Sequence, residues 1–523
     1  MKRGRFYVWR GVVFRLFLAV VLFILLLLLK SSVWFLNHFD EVEFSAVVYQ
    51  LISPMKGTGT DILNEYLHSC LYHSISLSII FFLVYNVYDL LSKKLLLCFD
   101  IKIGKKEFHF EIGKQFFFIS KTCILSVSIL ILCFYIKKQL VLIGIPKFIE
   151  NLSNASELYE QEYVNPGDKA ITFPQEKRNL LLIYMESMET TYASIEAGGG
   201  KPDNYIPRLT KLANENLFFS DDSDLGGANA CDGTGWTMAG LLASSSGVNY
   251  KLPIDGNEAG EYKYFLKGLI TLGDILEDAG YQNYFMCGSD SRYAGRRDFY
   301  EQHGNYNIFD YYSAKEDGII SDDYYEFWGM EDQYLYKYAQ EKLTEIASNQ
   351  EPFNFTMLTV DTHHPEGYIC KLCKDEYSEQ YANAIACADR QLCEFIGWVE
   401  EQEWYEKTTV IITGDHRSMV TGFWNDIGNY ERRIYNCFMN VPGKFSAECF
   451  KNRTFSILDM FPTILAAMNV RIEGERLGLG TNLFSGNMTL PEKMGWDEFN
   501  RELELYSNYY INNFVIKERP QNP

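Results

Sequence analysis

The chain has 523 residues, of which 47% are hydrophobic and 22% charged, and its formal net charge is −20. The apolar content excludes a disordered protein, and the length exceeds that of one ordinary domain. The acidic balance argues against a nucleic-acid partner, because contacts to nucleic-acid phosphates need lysine and arginine.

Three apolar stretches come before any globular pattern. They run from about Val12 to Leu29, from Leu67 to Leu91 and from Phe116 to Ile136. As helices, each can span about 30 Å of hydrocarbon. A signal peptide and buried soluble helices are the alternatives. No small-residue cleavage site follows the first run, and three such runs in succession are unusual in a soluble protein. The sequence therefore predicts a membrane domain over residues 1–137 with three transmembrane helices.

The charges between these spans predict their orientation. The second loop carries Lys93, Lys94, Lys102, Lys105, Lys106 and Lys114. The first loop carries Asp40, Glu41, Glu43 and Asp61 against Lys56. The positive-inside rule places the basic N-terminus and the lysine-rich loop in the cytoplasm. The rest of the chain then lies outside the cytoplasm, with a linker over 138–176, a catalytic domain over 177–485 and a tail over 486–523.

Strand and helix patterns alternate after about residue 177. The predicted strands are Asn179–Met185, Gln282–Cys287, Phe353–Val360, Thr408–Thr413 and Ile434–Val441. The predicted helices are Ile206–Asn216, Leu272–Gly280, Asp332–Ala347, Glu376–Glu400 and Ser456–Asn469. This alternation indicates an α/β domain built on a largely parallel sheet.

Polar residues follow several predicted strands, where an open α/β sheet binds its ligands. Glu186 follows the first strand, and Asp415 and His416 follow the fourth across one glycine. Two carboxylates and an imidazole at one sheet edge make a plausible divalent metal site. Taken singly, each has a simpler explanation: a helix N-terminal charge for the glutamate and a turn for the Gly-Asp-His segment.

The segment Gly233-Thr234-Gly235-Trp236-Thr237 opens an apolar helical stretch, Met238–Ser244. A hydroxyl at a helix N-terminus lies where backbone N–H groups favour anions, so it can bind a phosphate or act as a nucleophile. Thr234 is the first candidate and Thr237, one turn later, the second. Simple capping of the helix by Thr234 is the alternative.

Two further motifs lie at strand ends. The third predicted strand is followed by Asp-Thr-His-His-Pro at 361–365, where we expect only one of the two histidines, His363 or His364, to reach the site. The second strand is followed by Gly-Ser-Asp-Ser-Arg at 288–292, with Asp290 and Arg292, and then by Arg296. Arginine is suited to binding phosphate oxygens, but an exposed helix start would look similar.

The motifs IYMES, GTGWTMAG, GSDSRYAGRRDF, TVDTHHPEG and ITGDH, in this order after three spans, resemble the phosphoglycerol transferase and lipoteichoic acid synthase family. That family belongs to the alkaline phosphatase and sulfatase superfamily. The similarity covers roughly residues 177–485 and is closest to the branch that decorates periplasmic glucans.

The resemblance implies a role for each motif residue. Thr234 matches the nucleophile, and Glu186, Asp415 and His416 match metal ligands, with Thr234 completing the set. His363 and Asp290 match substrate contacts, and Arg292 or Arg296 takes the place of an arginine that this sequence does not align clearly. The implied metal is Mn2+, or Mg2+.

The implied reaction is two displacements at one site, with phosphatidylglycerol as donor, a phosphoglycerol-threonine intermediate, and a glycan or glycolipid acceptor. A phosphoethanolamine transferase and a sulfatase are alternatives within the superfamily. An inactive membrane-bound binding or sensor protein is the alternative from another class.

Four cysteines cluster just after the His363 motif: Cys370, Cys373, Cys387 and Cys393. Cys387 and Cys393 are too far round one predicted helix to bridge each other easily. In an oxidising compartment we therefore expect Cys373 or Cys370 to pair with Cys387. Four free thiols are the alternative.

Overall fold

The structure is a computed structural model that describes residues 2–39, 44–52, 60–92, 97–103, 106–251, 265–446 and 449–517. The chain forms two compact units. The first contains residues 1–38 and 59–147, and the second contains residues 39–58 and 148–523. The division differs from the predicted one in two places. The boundary falls ten residues later in the chain, and the segment 39–58, which contains α2 (Phe44–Ile52), groups with the second unit.

The first unit is mainly helical. Its elements are α1 (Lys2–His38), α3 (Thr60–Tyr66), a π-helical turn (Leu67–Tyr72), α4 (His73–Ser92), an antiparallel hairpin of β1 (Leu97–Ile103) and β2 (Lys106–Ile112), and α5 (Lys114–Leu142). Three helical stretches are long and apolar enough to cross a membrane: Gly11–His38, Ile62–Ser92 and Gln115–Leu142. Of the loop charges used above, Lys93, Lys94, Lys105, Asp40, Glu41, Glu43 and Lys56 lie outside the described residues.

A charged group connects the three long helices. The Asp89 carboxylate accepts hydrogen bonds from Arg15 at 2.8 Å and from Lys121 at 2.9 Å. Because a charge within an apolar span is costly unless it is paired, this arrangement explains the arginine that interrupts the first apolar run.

The second unit is built around a six-stranded sheet with strand order β6-β5-β7-β4-β8-β9. Its strands are β4 (Asn179–Met185), β5 (Gln282–Cys287), β6 (Asn307–Phe309), β7 (Phe353–Leu358), β8 (Thr408–Gly414) and β9 (Asn436–Met439). All neighbouring pairs are parallel except β8 with β9. Short two-residue strands complete the unit: β3 (Ile171–Thr172), β10 (Arg471–Ile472), β11 (Arg476–Leu477) and β12 (Gly480–Thr481). The predicted α/β class and largely parallel sheet are confirmed.

Helices cover both faces of this sheet. Alternate residues of β4 enter different cores, Leu180 and Leu182 on one side and Leu181 and Ile183 on the other. A strand buried on both faces has this continuous apolar sequence. The principal helices are α8 (Pro207–Glu215), α9 (Thr237–Ser246), α10 (Leu272–Asp278), α11 (Arg296–Gln302), α12 (Tyr311–Glu316), α13 (Asp332–Ser348), α14 (Gln380–Glu400) and α15 (Met460–Ala467).

The linker and tail are integral parts of the second unit. They contain α6 (Ile145–Ser153), α7 (Leu158–Glu162), α16 (Leu490–Met494), α17 (Trp496–Glu504) and α18 (Asn508–Tyr510). The tail residues Phe499 and Leu503 are buried in the same core as β4. The Ser156 hydroxyl of the linker donates to Glu502 of the tail at 2.6 Å.

The strand register brings the polar motifs that follow the strands to one edge of the sheet. Met185, the last residue of β4, pairs with Gly414, the last residue of β8. Glu186 and Asp415 therefore leave neighbouring strands at the same level. The His363 loop follows β7, which flanks β4 on its other side.

Candidate active site

Glu186, Asp415 and His416 form one buried cluster at the carboxyl edge of the sheet. Each is at most 2% exposed, and their ligand atoms all lie within 4.8 Å of one another. His416 Nε2 is 3.3 Å from Glu186 Oε1 and 3.4 Å from Asp415 Oδ2. The structure thus brings together the three residues that the sequence placed at matching strand ends.

Hydrogen bonds around the cluster orient its members. Asp415 Oδ1 accepts from the backbone N–H groups of Ser187 at 2.8 Å and His416 at 2.9 Å. His416 Nδ1 donates to the Arg417 carbonyl at 2.7 Å. This contact directs Nε2 towards the carboxylates, which is the orientation of a metal-binding imidazole.

One carboxylate oxygen in this cluster accepts no hydrogen bond from the described residues, although His416 Nε2 lies 3.4 Å from it. Asp415 Oδ2 is buried without a hydrogen bond among the described residues, and an unpaired buried carboxylate oxygen is costly. Two carboxylates, an imidazole and a neighbouring hydroxyl form a donor set suited to a divalent cation. The residues present therefore fit a metal ion.

The electrostatics of the cluster agree with this fit. Burial and the Glu186 carboxylate raise the pKa of Asp415 to about 7. Burial alone would lower the pKa of His416, but the two carboxylates raise it to about 9. Burial opposes ionisation of Glu186 as well, yet His416 holds the pKa of this carboxyl below its usual range. The cluster thus retains a proton on His416, which cation binding would displace.

The hydroxyl at this cluster belongs to Thr237. Thr237 Oγ1 donates to Glu186 Oε2 at 3.2 Å and lies 3.3 Å from His416 Nε2. Thr234 is buried, and its Oγ1 donates to the Cys231 carbonyl at 2.6 Å and accepts from the Cys231 N–H at 3.0 Å. The structure thus gives the two candidate hydroxyls different positions: Thr234 closes the turn before the helix, and Thr237 is the first residue of α9.

Helix α9 comes close enough to the cluster because of one glycine. A Cβ at Gly240 would lie 2.0 Å from the Asp415 carbonyl oxygen, so the helix packs directly on the backbone after β8. This close packing places the first turn of the helix, and with it Thr237, beside Glu186.

A cleft opens next to Thr237. Its lining includes Arg296, His363, Trp328 and Tyr293. Arg296 is buried and donates to Ser289 Oγ at 2.9 Å and to the Asp290 carbonyl at 3.0 Å. Among the described residues no carboxylate forms an ion pair with it, so its positive charge is available to an anion in the cleft.

His363 enters the cleft from the loop after β7. Its Nδ1 donates to the His364 carbonyl at 2.8 Å, and its ring packs on Trp328 with centroids 4.8 Å apart. Burial lowers the pKa of His363, so the imidazole is neutral at pH 7. A neutral imidazole is able to accept a proton from a substrate hydroxyl.

Two predicted substrate residues do not line the cleft in the described structure. The Asp290 carboxylate is bound by Arg292, with Nε at 2.8 Å and Nη2 at 2.7 Å, and the Arg292 side chain is 36% exposed. Of the two arginines left open by the sequence, Arg296 is the one that faces the cleft. Asp290 contributes through its backbone carbonyl, which positions Arg296.

Sequence reasoning did not identify Trp328, Glu189 or Arg432. Trp328 lies in a stretch without a recognisable motif. The signals in the sequence are that it is a tryptophan and that it lies shortly before α13. The buried Glu189 accepts from Arg432 Nε at 3.0 Å and from the Ser418 N–H at 2.8 Å. This pair fixes the loop that follows His416.

Comparison with known proteins agrees with the fold. The sulfatase family model matches residues 178–470. Phosphoglycerol transferase I of Escherichia coli (strain 55989) is 32% identical over 325 residues, which are 60% of this chain and 40% of that protein. Phosphoglycerol transferase I of Salmonella choleraesuis is 32% identical over 328 residues, which are 61% and 40% of the two chains. The chain thus spans 40% of the length of these curated relatives.

A solved structure extends the similarity to the membrane helices. The integral membrane protein lipooligosaccharide phosphoethanolamine transferase A from Neisseria meningitidis matches with a TM-score of 0.51 and 12% identity, covering 86% of this chain and 84% of that chain. The fold is that of a membrane protein with a C-terminal sulfatase-like domain. Since the family model matches more than half of its residues, the chain belongs to the sulfatase family.

Proposed function

We propose that this chain transfers phosphoglycerol from phosphatidylglycerol to a glycan or glycolipid acceptor, with Thr237 as the nucleophile. The observation that carries the proposal is the position of Thr237 Oγ1, 3.2 Å from Glu186 and 3.3 Å from His416, beside the cleft. The group transferred is inferred from the relatives named phosphoglycerol transferase I.

The proposed metal site consists of Glu186, Asp415, His416 and Thr237. This oxygen-rich set favours Mn2+ or Mg2+ over a thiolate-type zinc site. The ion, when bound, supplies Lewis-acid polarisation of the phosphoryl oxygens and favours ionisation of the adjacent hydroxyl.

The side chains of the site divide the reaction between them. Thr237 Oγ1 attacks the phosphorus and diacylglycerol leaves, so that a phosphoglycerol ester on Thr237 remains. Arg296 holds the phosphate charge in the cleft. The neutral His363 takes the proton of the attacking Thr237 hydroxyl and gives it to the departing glyceride oxygen. In the second displacement it takes the proton of the acceptor hydroxyl and returns it to Thr237 Oγ1. The acceptor oxygen then binds phosphorus, and Thr237 is released.

The chemistry of the cleft favours a glycerol head group over ethanolamine. Glu186 is the one carboxylate among its lining residues in the described structure, and it is already bonded to Thr237 and Ser187. Asp290 is neutralised by Arg292. The lining therefore lacks a free negative group for an ammonium ion, whereas Ser289 and Tyr293 suit neutral hydroxyls.

A lipid donor explains the membrane helices. The active site faces the extracytoplasmic side in this proposal, because the lysine-rich loop follows the second span. The catalytic unit then meets lipid head groups in the outer leaflet.

Donor turnover by the full-length chain in detergent tests the proposal. Phosphatidylglycerol with a labelled head group is incubated with added Mn2+, and both released diacylglycerol and label on the protein are measured. We expect release by the wild-type chain, label on the Thr237 peptide after an acid quench, and neither with Thr237→Ala. Thr237→Ser, which keeps a hydroxyl, should retain part of the turnover.

Two results would overturn the proposal. Normal diacylglycerol release by Thr237→Ala would exclude this nucleophile. Turnover of phosphatidylethanolamine in preference to phosphatidylglycerol would instead identify a phosphoethanolamine transferase.

A further inference from the structure

Three cysteine side chains meet between the loop after β7 and helix α14. Cys370 Sγ lies 3.6 Å from Cys373 Sγ and 3.8 Å from Cys387 Sγ, and all three sulfur atoms lie within 4.8 Å of one another. Cys370 is 5% exposed and Cys387 is 1% exposed. None of the three belongs to the cleft beside Thr237.

The distances from Cys370 Sγ to the other two sulfur atoms match those between metal-bound thiolates. A Zn–S bond is about 2.3 Å long, so two thiolates at corners of a zinc tetrahedron lie about 3.8 Å apart. A disulfide needs about 2.0 Å between its sulfur atoms and can use only two of three thiols. The cluster fits a shared ion better than a bridge with one thiol left over.

A fourth donor lies beside the sulfur atoms. The Gln391 side chain is 6% exposed, and its amide nitrogen is 3.4 Å from Cys387 Sγ and 3.7 Å from Cys370 Sγ. Its oxygen is buried without a hydrogen bond among the described residues. The nitrogen and oxygen of an amide have nearly the same shape, so the two can be exchanged by rotating the amide by 180°. In the rotated amide the oxygen faces the sulfur atoms and is no longer without a partner.

The backbone of the loop is folded around Cys370. The Leu372 N–H donates to Cys370 Sγ at 3.4 Å, and the Cys373 N–H donates to the Cys370 carbonyl at 3.1 Å. An N–H group directed at a sulfur atom stabilises the thiolate form, which is the form that binds metal.

We propose that Cys370, Cys373 and Cys387 bind a zinc ion, with the Gln391 amide oxygen as fourth ligand. This site is separate from the Glu186–Asp415–His416 cluster and is closed by four protein ligands, as in structural zinc sites. It fastens the loop that carries His363 to helix α14.

Elemental analysis of the full-length chain, purified in detergent without chelator, tests this site. We expect one equivalent of zinc in the wild-type chain and its loss in Cys373→Ser. Asp415→Ala, which removes a ligand of the other cluster, should keep this equivalent. Cys393→Ser is the matched control, since Cys393 lies on the same helix but outside the cluster.

Cobalt substitution of the wild-type chain provides a readout that needs no variant. Cobalt bound by thiolates gives a charge-transfer band in the near ultraviolet, which ligation by carboxylate and imidazole does not. Absence of both zinc and this band in the wild-type chain would overturn the proposal. A Cys370–Cys373 or Cys370–Cys387 disulfide found by mass spectrometry without reduction would do so too. Neither outcome depends on turnover, so these measurements test the zinc site independently of the proposed function.

Discussion

Thr234 and Thr237 lie one helical turn apart and have different surroundings. Thr234→Ala removes a hydroxyl bonded to both backbone groups of Cys231 and leaves a buried N–H without its acceptor. We expect a loss of about 1–3 kcal/mol of stability with turnover retained. Thr237→Ala, in contrast, should abolish turnover with little change in stability. Measurements of thermal unfolding and of diacylglycerol release distinguish the effects of the two variants. A Thr234→Ala chain that is stable but inactive would identify Thr234 as the nucleophile.

Asp332 and Asp361 form a buried pair of carboxyl groups behind the His363 loop. Asp332 accepts from the N–H groups of Val360 at 2.8 Å and Asp361 at 3.2 Å, and Asp361 accepts from the Asp332 N–H at 3.1 Å. Burial raises the pKa of Asp332 to about 7. Burial and then repulsion by Asp332 raise the pKa of Asp361 well above its usual range.

These shifts predict how stability depends on pH. A carboxyl whose folded pKa is raised binds more protons in the folded than in the unfolded state. The contribution of Asp332 is therefore fully present below about pH 4 and is lost as pH rises through its folded pKa of about 7, and that of Asp361 is lost likewise as pH rises through its raised pKa. Asp361→Asn removes the charge and keeps the oxygen that accepts from Asp332.

We expect Asp361→Asn to melt higher than the wild-type chain at pH 8, by a few degrees, with a smaller difference at pH 5. Melting curves at the two pH values check this. Asp375→Asn, at an exposed position, is the control and should show no such trend. A difference that is larger at pH 5 than at pH 8 would contradict the assignment.

The site residues differ in how far the sequence could specify them. Glu186, Asp415 and His416 follow buried strands directly, and parallel strands bring their carboxyl ends to one edge, so their meeting was predictable. The choice between Thr234 and Thr237 depends on how closely α9 approaches β8, which no local pattern contains. Trp328 enters the cleft through a loop whose path is set by tertiary contacts.

Among the elements, helix α9 is the one whose position decides the site. An alanine at Gly240 would place a methyl group 2.0 Å from the Asp415 carbonyl oxygen, so helix and loop must separate. We expect Gly240→Ala to lower donor turnover about 100-fold, because a shift of about 1 Å in a reacting group has that effect. Gly397→Ala is the control, since nothing lies within 4 Å of a Cβ there. Equal turnover in the two variants would show that the close packing is not required.

Five of the six strands of the sheet were predicted to within two residues at each end, because strands buried on both faces are short continuous apolar runs. The three-residue strand β6 was not predicted. The tail was not assigned any structure from the sequence. Helix α17 buries only Phe499 and Leu503 within an otherwise charged segment. Their spacing of four residues is a helical signal, but its context is too polar to predict burial against a distant core.

At the scale of the whole molecule, the charged group of Arg15, Asp89 and Lys121 indicates how the three long helices of the first unit are oriented. Arg15 lies near the start of the first span, Asp89 near the end of the second and Lys121 near the start of the third. If the three helices cross a membrane in alternating directions, these positions lie at the same membrane face, in agreement with their hydrogen bonds. The lysine-rich loop continues from that same face.

The position of the catalytic unit follows from this arrangement. If the lysine-rich loop is cytoplasmic, three spans carry the chain across, and residues after 150 lie outside. We expect a phosphatase reporter fused after residue 150 to be active and a fluorescent reporter at that point to be dark. The same two reporters fused after residue 103, in the second loop, should give the opposite pattern and serve as the control. A dark phosphatase with a bright fluorescent reporter after residue 150 would place Thr237 in the cytoplasm. Outer-leaflet phosphatidylglycerol and an extracytoplasmic acceptor would then both be out of its reach, so the proposed function would fail with the topology.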